Sequence, residues 1–394
     1  MSGVPLSVTA TTLADGRELI YFDDDPAVIS GQVTRELTDP RDLPEAVAAS
    51  ELRRDPLTGE WITYAAHRNN RTFMPPASEN PLAPTRPGAL PSEIPADDYD
   101  VVVFENRFPS FSTRLDLPAD PADYPWTVDG EELYPRRPAR ARCEVICFAP
   151  DAHRSFRDLP LSRIRTIVEA WRHRTAALSE IEGVVQVAPF ENRGVEIGVT
   201  LQHPHGQIYS YPYLPPRSRA VLTRAAAHRA GTGRDLFDDM IAAERRAGTR
   251  ILVATDLFTV FVPAAAKWPV EVMVMPNRPV ADFTELTEEE RAALPLLLKS
   301  LYTAVDRYFE GVDRTPYIAA WNQAPVQSRL TGEDEALRGE GRLYLQLFSL
   351  MRSPNRMKYL AGSESAFGAW ISDTTPETVA ARLQEVWPTP EELR

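Results

Sequence analysis

One segment of this chain carries apolar residues at the spacing of an amphipathic helix, and a second segment begins with the signal of a helix N-terminus. Within residues 162–182, the apolar positions that fall on one helix face are Ile164, Ile167, Val168, Trp171 and Leu178. A second helix is predicted over residues 288–310, where Thr287 and Glu290 have the T-x-x-E spacing of a capping box. Pro295 is expected to kink the first turns of this helix. The sequence therefore predicts two long helices, the first of them with one buried face.

Short apolar runs predict strands before and after each helix. The runs that follow the helices lie at residues 184–190, 199–213, 317–321 and 343–348. Before the helices, Cys143–Cys147 falls on residues 270–274 when the chain is shifted by 127 positions. At the same offset, the F-x-[DE]-L step at 156–159 falls on the one at 283–286. Because both matches share one offset and one strand–loop–helix order, the sequence predicts a duplicated α+β unit.

Three stretches of the chain show neither the pattern of a helix nor that of a strand. Residues 74–99 hold seven prolines and predict an extended excursion rather than a helix, and residues 115–140 are similar. Residues 326–341 are polar and contain glycine, which predicts a surface loop.

The composition narrows the class of protein. The 394 residues are 43% hydrophobic and 25% charged, which is typical of a globular fold and sufficient for two domains. With 43 basic against 56 acidic residues, the net charge of −13 argues against general binding to nucleic acid or anionic membranes. We find no apolar run long enough for a membrane span, no signal peptide, and too few cysteines for a disulfide framework. We therefore expect a soluble enzyme of the cytoplasm.

The strongest local signal is the sequence H-P-H-G-Q at residues 203–207. In a strand, His203, His205 and Gln207 would project from the same face, because alternate residues do so. Pro204 removes a backbone donor between the histidines, and Gly206 permits the close approach of another backbone or of a ligand. Three polar side chains on one face of an apolar strand indicate a site rather than a core.

Three kinds of site fit these residues. A metal pair needs further ligands, yet the chain has no C-x-x-C, and Cys143 and Cys147 are expected to be small core residues. A hydrogen-bonded structural pair of histidines needs no further ligand. In nucleophilic catalysis, a neutral imidazole would attack phosphorus, and Gln207 would donate to a phosphate oxygen. The residues alone leave all three open.

Three motifs together resemble the signature of the galactose-1-phosphate uridylyltransferase family, which belongs to the histidine-triad superfamily. They are F-E-N-R-G at 190–194, E-I-G at 196–198 and H-P-H-G-Q at 203–207. Further matches extend over most of the chain, at residues 13–21, 53–61, 67–71, 101–108, 317–325 and 358–364. The resemblance implies an α+β fold of two histidine-triad-like halves, residues 1–215 and 216–394. Their antiparallel sheets, with flanking helices, would merge into a half-barrel-like sheet.

The resemblance also implies a role for each matched residue. His205 corresponds to the family's nucleophile, oriented by a backbone carbonyl of the same motif, and Gln207 to the glutamine that holds the phosphates. Arg68 and Arg71 correspond to a basic pair near the phosphates. The other substrate-binding positions are Phe104 and Asn106 at the uridine, Asn192, Gly198 and Thr200 at the nucleotide, and Lys358, Tyr359, Ala361 and Glu364 at the hexose. In the family, the partner subunit supplies this last group.

The chain departs from the family at its metal sites. The positions that carry ligands in many members hold other residues here: Asn80, Ala83, Asn322, Tyr344 and Gln346. His203 remains, but one ligand does not make a zinc site. We therefore expect no zinc, iron or other cofactor, and we expect apolar burial of Leu82, Ala83 and Tyr344 to hold the strands instead.

The favoured function is transfer of UMP from UDP-glucose to galactose 1-phosphate through a uridylyl group on His205. A family aromatic near the hexose is Ser363 here, so the resemblance supports the chemistry better than the sugar. One alternative is a related nucleotidyltransferase or phosphorylase for another sugar or base, and another is a nucleotide-sugar-binding protein without turnover. The expected partners are a nucleotide sugar, a sugar phosphate and a second copy of the chain in a homodimer, with no nucleic acid and no membrane.

Overall fold

The computed structural model describes residues 5–70, 75–76 and 79–393. Its strands are β1 (Ser7–Thr12), β2 (Glu18–Asp23), β3 (Glu51–Arg54), β4 (Trp61–Tyr64), β5 (Val101–Glu105), β6 (Thr127–Val128), β7 (Glu131–Pro138), β8 (Cys143–Cys147), β9 (Gln186–Arg193), β10 (His205–Tyr211), β11 (Ile251–Ala254), β12 (Phe258–Phe261), β13 (Val270–Pro276), β14 (Tyr317–Asn322), β15 (Tyr344–Ser349), β16 (Met351–Ser353) and β17 (Arg356–Met357). Its helices are α1 (Pro26–Ile29), α2 (Leu161–Ser179), α3 (Pro216–Thr232), α4 (Leu236–Ala247), α5 (Glu288–Arg307), α6 (Gly362–Phe367) and α7 (Pro376–Val386).

Eleven strands form one antiparallel sheet in the order β1-β2-β5-β8-β10-β9-β14-β15-β13-β12-β11. Read outward from its centre, the sheet has the same arrangement on both sides, β9-β10-β8-β5 and β14-β15-β13-β12. The predicted duplication is confirmed, because β8 and β13, which match at one offset, occupy equivalent places. Within the described residues the sheet ends at β1 and β11 and does not close into a barrel. The predicted α+β class, with antiparallel sheet and helices, is confirmed.

The two predicted long helices, α2 and α5, pack against each other on one face of the sheet. Their buried residues include Trp171 and Leu298, which belong to the main hydrophobic cluster together with Ile146 and Ile208 of the sheet. The capping box of α5 is confirmed: Thr287 accepts from the Glu290 backbone amide, and the Glu290 carboxylate accepts from that of Thr287. The helix continues through Pro295. Among the described residues, no helix is both long and apolar enough to cross a membrane.

The two halves are joined where β9 pairs with β14. In this register, Glu191 lies opposite Ala319, and Arg193 lies opposite Tyr317. The Arg193 guanidinium donates to the buried Asp306 carboxylate of α5, with Nη1 3.0 Å from Oδ2. Asp306 also accepts from the backbone amide of Thr315 at 3.0 Å, just before β14. A buried ion pair therefore reinforces the backbone ladder at the junction. The predicted boundary at residue 215 falls between β10 and α3 and stays a prediction.

Two sequence expectations are wrong in part. The predicted strand at 199–213 begins only at His205, because residues 195–197 form a 3₁₀ turn and Pro204 has no amide proton for the ladder. Residues 115–140 include β6 and β7, which join β3 and β4 in a separate four-stranded sheet. The residues between 326 and 341 are a loop with two 3₁₀ turns, Gln327–Arg329 and Gly332–Leu337.

Gly206 in β10 meets a close neighbour, as the motif predicted. A Cβ at this position would lie 2.8 Å from the Phe190 carbonyl oxygen and 2.9 Å from the Phe148 ring. We expect Gly206→Ala to lower the free energy of unfolding by about 1–3 kcal/mol, because a packed core resists added volume. Urea unfolding measures the change. Gly231→Ala in α3 is the matched control, since nothing lies within 4 Å of its Cβ, and no loss of stability is expected there. Equal stability of the Gly206→Ala protein and the wild type would contradict this packing argument.

Candidate active site

His205 begins β10, where the strand pairs with β8 on one side and β9 on the other. His205 lies opposite Cys147, and Gln207 lies opposite Val145 and Phe190. Because side chains alternate along a strand, His205 and Gln207 share the sheet face opposite the buried Ile208, which faces the helices. This is the same face as Val145, Cys147 and Phe104, which form a second apolar cluster. The strand thus presents both motif side chains away from the helices.

A backbone hydrogen bond fixes the orientation of the His205 ring. Nδ1 of His205 lies 2.7 Å from the carbonyl oxygen of His203. A carbonyl oxygen only accepts, so Nδ1 carries the proton and Nε2 keeps its lone pair. Burial lowers the pKa of His205, because the charged form is poorly solvated, and the hydrogen bond to the His203 carbonyl acts in the opposite direction. The ring is therefore a neutral base at neutral pH, with Nε2 as its nucleophilic atom.

A first cleft opens on one side of His205. The structure brings five other predicted site residues together in its wall: Arg68, Phe104, Asn106, Thr200 and Gln207. Apolar side chains of Leu82, Val145 and Leu201 complete much of the lining, and Glu93 and Arg107 add charge. An apolar lining with a few polar groups is typical of a small-molecule site.

Hydrogen bonds to the backbone of Phe108 hold two polar residues of the first cleft in place. Arg68 lies on a 3₁₀ turn, and its Nη1 donates to the Phe108 carbonyl at 2.7 Å. Asn106 accepts from the Phe108 amide at 2.9 Å through Oδ1, so that its side-chain orientation is set. The second arginine of the predicted basic pair, Arg71, lies outside the described residues.

A second cleft opens on the other side of His205. Its lining includes Asn192, which was a predicted site residue, and Arg154, Ser155, Gly194 and Arg314, which were not. Arg314 donates to the His153 carbonyl and so reaches across from the C-terminal half. His205 lines both clefts and stands between them.

Sequence reasoning missed Arg154 and Arg314 because neither lies in a recognisable motif. Arg314 precedes β14, and the pairing of β14 with β9 is what carries it to the F-E-N-R-G segment. The duplication predicted two equivalent units but gave no sign of which strands join them. Knowing that junction would have been enough to place Arg314 near His205.

The predicted hexose-binding segment is not brought to His205 within the chain. Lys358, Tyr359, Ala361 and Glu364 line neither cleft. Lys358 is buried, and its Nζ lies 3.1 Å from Oε1 of Glu364, whereas Tyr359 is 76% exposed. Gly198 also lines neither cleft, and with a φ of 83° it ends the 3₁₀ turn of residues 195–197. The roles of these five residues stay predictions.

Comparison with known proteins decides the family. A family model described as the N-terminal domain of galactose-1-phosphate uridyl transferase matches residues 40–215, and the model of its C-terminal domain matches residues 222–391. This chain belongs to the galactose-1-phosphate uridylyltransferase family. It is 40% identical over 387 residues to the galactose-1-phosphate uridylyltransferase of Streptomyces lividans, covering 96% of this chain and 97% of that protein.

Solved structures agree with this assignment. A structure described as that of a uridylyltransferase has a TM-score of 0.71 and 31% identity, over 85% of this chain and 98% of the other. An ADP-glucose phosphorylase from Arabidopsis thaliana with bound ADP-glucose shares the fold, with a TM-score of 0.58 and 19% identity over 86% of this chain and all of that one. The protein is thus an enzyme of the uridylyltransferase family.

The residues at the metal positions of this uridylyltransferase do not fit a metal. Asn80 donates its amide to Nδ1 of His203 at 3.0 Å, so this nitrogen is not available as a ligand. Gln346 donates to the buried Glu271 carboxylate. In the part of the chain that the structure describes, no three His, Cys, Asp or Glu side chains group to hold a metal ion. Leu82 and Tyr344 are buried, as expected, whereas Ala83 is only half-buried.

We expect His203 to lower the free energy of unfolding of this protein at acid pH. Burial, the largest effect, lowers its pKa to about 4, whereas an unfolded histidine has a pKa of about 6.5. As the pH falls from about 6.5 to 4, the unfolded state takes up a proton that the folded state refuses, which costs up to roughly 3 kcal/mol. In urea unfolding at pH 7.5 and pH 5, His203→Asn should therefore lose less stability than the wild type. His153→Asn, at an exposed position, is the control and should behave as the wild type does.

Proposed function

We propose that this protein transfers UMP from UDP-glucose to galactose 1-phosphate through a uridylyl group on Nε2 of His205. In the first step, Nε2 attacks the α-phosphorus, a P–N bond forms, and the bond to the bridging oxygen breaks to release glucose 1-phosphate. In the second step, a phosphate oxygen of galactose 1-phosphate attacks the same phosphorus, and the imidazole leaves. The observation that carries the proposal is the hydrogen bond of 2.7 Å from Nδ1 to the His203 carbonyl, which leaves Nε2 unprotonated at the junction of two clefts.

The first cleft suits the uridine and the phosphates. Phe104 and Val145 offer apolar walls to a planar base, and Asn106 offers an amide at its rim. Arg68 and Gln207 bring hydrogen-bond donors to the lining of the cleft, which also includes His205. Donors fixed in this way stabilise charge that develops on the non-bridging oxygens during transfer. Membership of the family favours uracil as the base.

The second cleft suits the sugar phosphate that leaves and the one that replaces it. Arg154 and Arg314 both line this cleft, and their guanidinium groups match the geometry of phosphate oxygens. Asn192 also lines this cleft and can donate to a phosphate or to a sugar hydroxyl. Two clefts that meet at the nucleophile allow the sugar phosphate to exchange while the nucleoside stays bound.

We further propose a homodimer in which the segment from Lys358 to Glu364 completes the site of the other copy. The segment and its surroundings expose apolar side chains that this chain does not cover: Tyr359 is 76%, Phe367 85% and Ile371 58% exposed. Exposed apolar groups of this size commonly mark an association surface. Sedimentation equilibrium giving the mass of a single chain would exclude the dimer.

The nucleophile is tested by replacing His205. We expect His205→Gly to lose UMP transfer by at least about 10³-fold, because no other group can carry the uridylyl intermediate. UDP-glucose binding, measured by calorimetry, should be largely retained. In the wild type, incubation with UDP-glucose should add the mass of a uridylyl group at His205, and double-reciprocal plots should run parallel. ADP-glucose assayed beside UDP-glucose separates the two bases, and a fully active His205→Gly variant would refute the mechanism.

The second cleft is tested at Arg314. We expect Arg314→Gln to raise the KM for galactose 1-phosphate roughly tenfold, because a charge-assisted hydrogen bond to phosphate is lost. The affinity for UMP, which would occupy the first cleft, should stay the same. Arg246→Gln, on the exposed end of α4, is a matched control with no expected effect. An unchanged KM for a panel of sugar 1-phosphates would remove Arg314 from the site.

A further inference from the structure

We infer that Asn80 and Tyr99 are positioning residues, which orient His205 by holding the ring of His203 without a metal ion. The inference rests on the proposed function, in which His205 is the nucleophile. The group formed by Asn80, Tyr99, the His203 ring and the Ala149 carbonyl is called the His203 clamp below.

One side of the His203 clamp is the amide of Asn80. Its Nδ2 donates to Nδ1 of His203 at 3.0 Å. Its Oδ1 accepts from the Leu82 backbone amide at 3.0 Å, and this bond defines which end of the amide faces the ring. Since Nδ1 of His203 accepts a hydrogen bond, it carries no proton in the neutral ring.

The other side of the clamp holds Nε2 of His203. This nitrogen lies 2.7 Å from the Ala149 carbonyl oxygen and 2.8 Å from the Tyr99 hydroxyl. Because the carbonyl accepts, Nε2 carries the proton. The Tyr99 hydroxyl lies within 2.8 Å of the Ala149 carbonyl and 3.1 Å of the Leu82 carbonyl, to either of which it can donate. His203 and Tyr99 are 2% and 1% exposed, so water does not replace these bonds readily.

The clamp acts on His205 through one peptide group. The carbonyl of His203 is the acceptor for Nδ1 of His205, so any rotation of the His203 residue moves the bond that orients the nucleophile. Pro204 limits φ at the next position, and its carbonyl accepts from the Phe148 amide at 3.0 Å. Residues 148 and 149 therefore hold both the backbone and the ring of the segment that precedes β10. The hydrogen bonds of the His203 clamp take the place that a metal ion would have in tying these segments together.

The two histidines must consequently adopt opposite neutral tautomers. His203 carries its proton on Nε2, and His205 carries it on Nδ1. Only six histidines are present in the chain, so their ring nitrogens can be resolved by ¹⁵N NMR of selectively labelled protein. The NMR measurement of these tautomers does not require turnover, so it can be made whether or not the protein transfers UMP.

The kinetic test compares Tyr99→Phe and Asn80→Ala with a matched tyrosine. Tyr21 belongs to the same apolar cluster as Tyr99, is fully buried, and also hydrogen-bonds to backbone, through Glu36 and Ala96. We expect kcat to fall about tenfold or more in the two clamp variants, because a nucleophile displaced by even 1 Å reacts much more slowly. The KM for UDP-glucose should stay within about twofold. Tyr21→Phe should leave kcat unchanged, although it costs similar stability.

The spectroscopic test uses Asn80→Asp, which keeps the shape of the side chain. A carboxylate cannot donate, so the His203 ring should take up a second proton at Nδ1, and its ¹⁵N shifts should move to those of an imidazolium. Protein purified without added metal should contain less than stoichiometric zinc and iron, and EDTA should leave its thermal midpoint unchanged. The inference is overturned by any one of three results: wild-type His203 protonated on Nδ1, stoichiometric bound metal, or clamp variants whose kcat equals that of Tyr21→Phe.

A wild-type protein that shows the two tautomers but does not transfer UMP would instead refute the proposed function.

Discussion

The antiparallel pairing of β9 with β14 is the contact on which the rest of this molecule depends. It converts two similar units into one sheet, and the Arg193–Asp306 ion pair and the Thr315 amide reinforce it from the helix side. β9 is also the strand beside β10, so the junction lies one strand away from His205. The second cleft is therefore built from both halves, and neither half contains it alone.

Sequence reasoning reached the architecture because the relevant forces are local or periodic. The helix face around Trp171, the capping box at Thr287, and the duplicated strands β8 and β13 all follow from spacing along the chain. The orientation of His205 by a carbonyl of its own motif was also within reach, since the donor and acceptor are two residues apart.

The remaining features depend on contacts between distant segments, which no local pattern records. The start of β10 depends on the 3₁₀ turn and Pro204 before it, and strand β7 pairs with β3, which lies far earlier in the chain. The contact between Asn80 and His203 joins positions 123 residues apart, so no local pattern in the sequence indicates it. Arg314 likewise reaches the site only through the pairing of strands.

The central position of β9 also has a consequence for the order in which the protein forms during synthesis. Glu191 and its partner Tyr317 are 126 residues apart, so β9 is translated long before β14 exists. Until β14 arrives, the N-terminal unit has β9 as an unpaired edge strand, which can pair with another nascent chain. The charged residues Glu191 and Arg193, which the finished enzyme buries or pairs at the junction, lie on this edge and discourage such pairing while it is exposed. The strand that unites the two halves in the native state is thus also the one that needs protection on the ribosome.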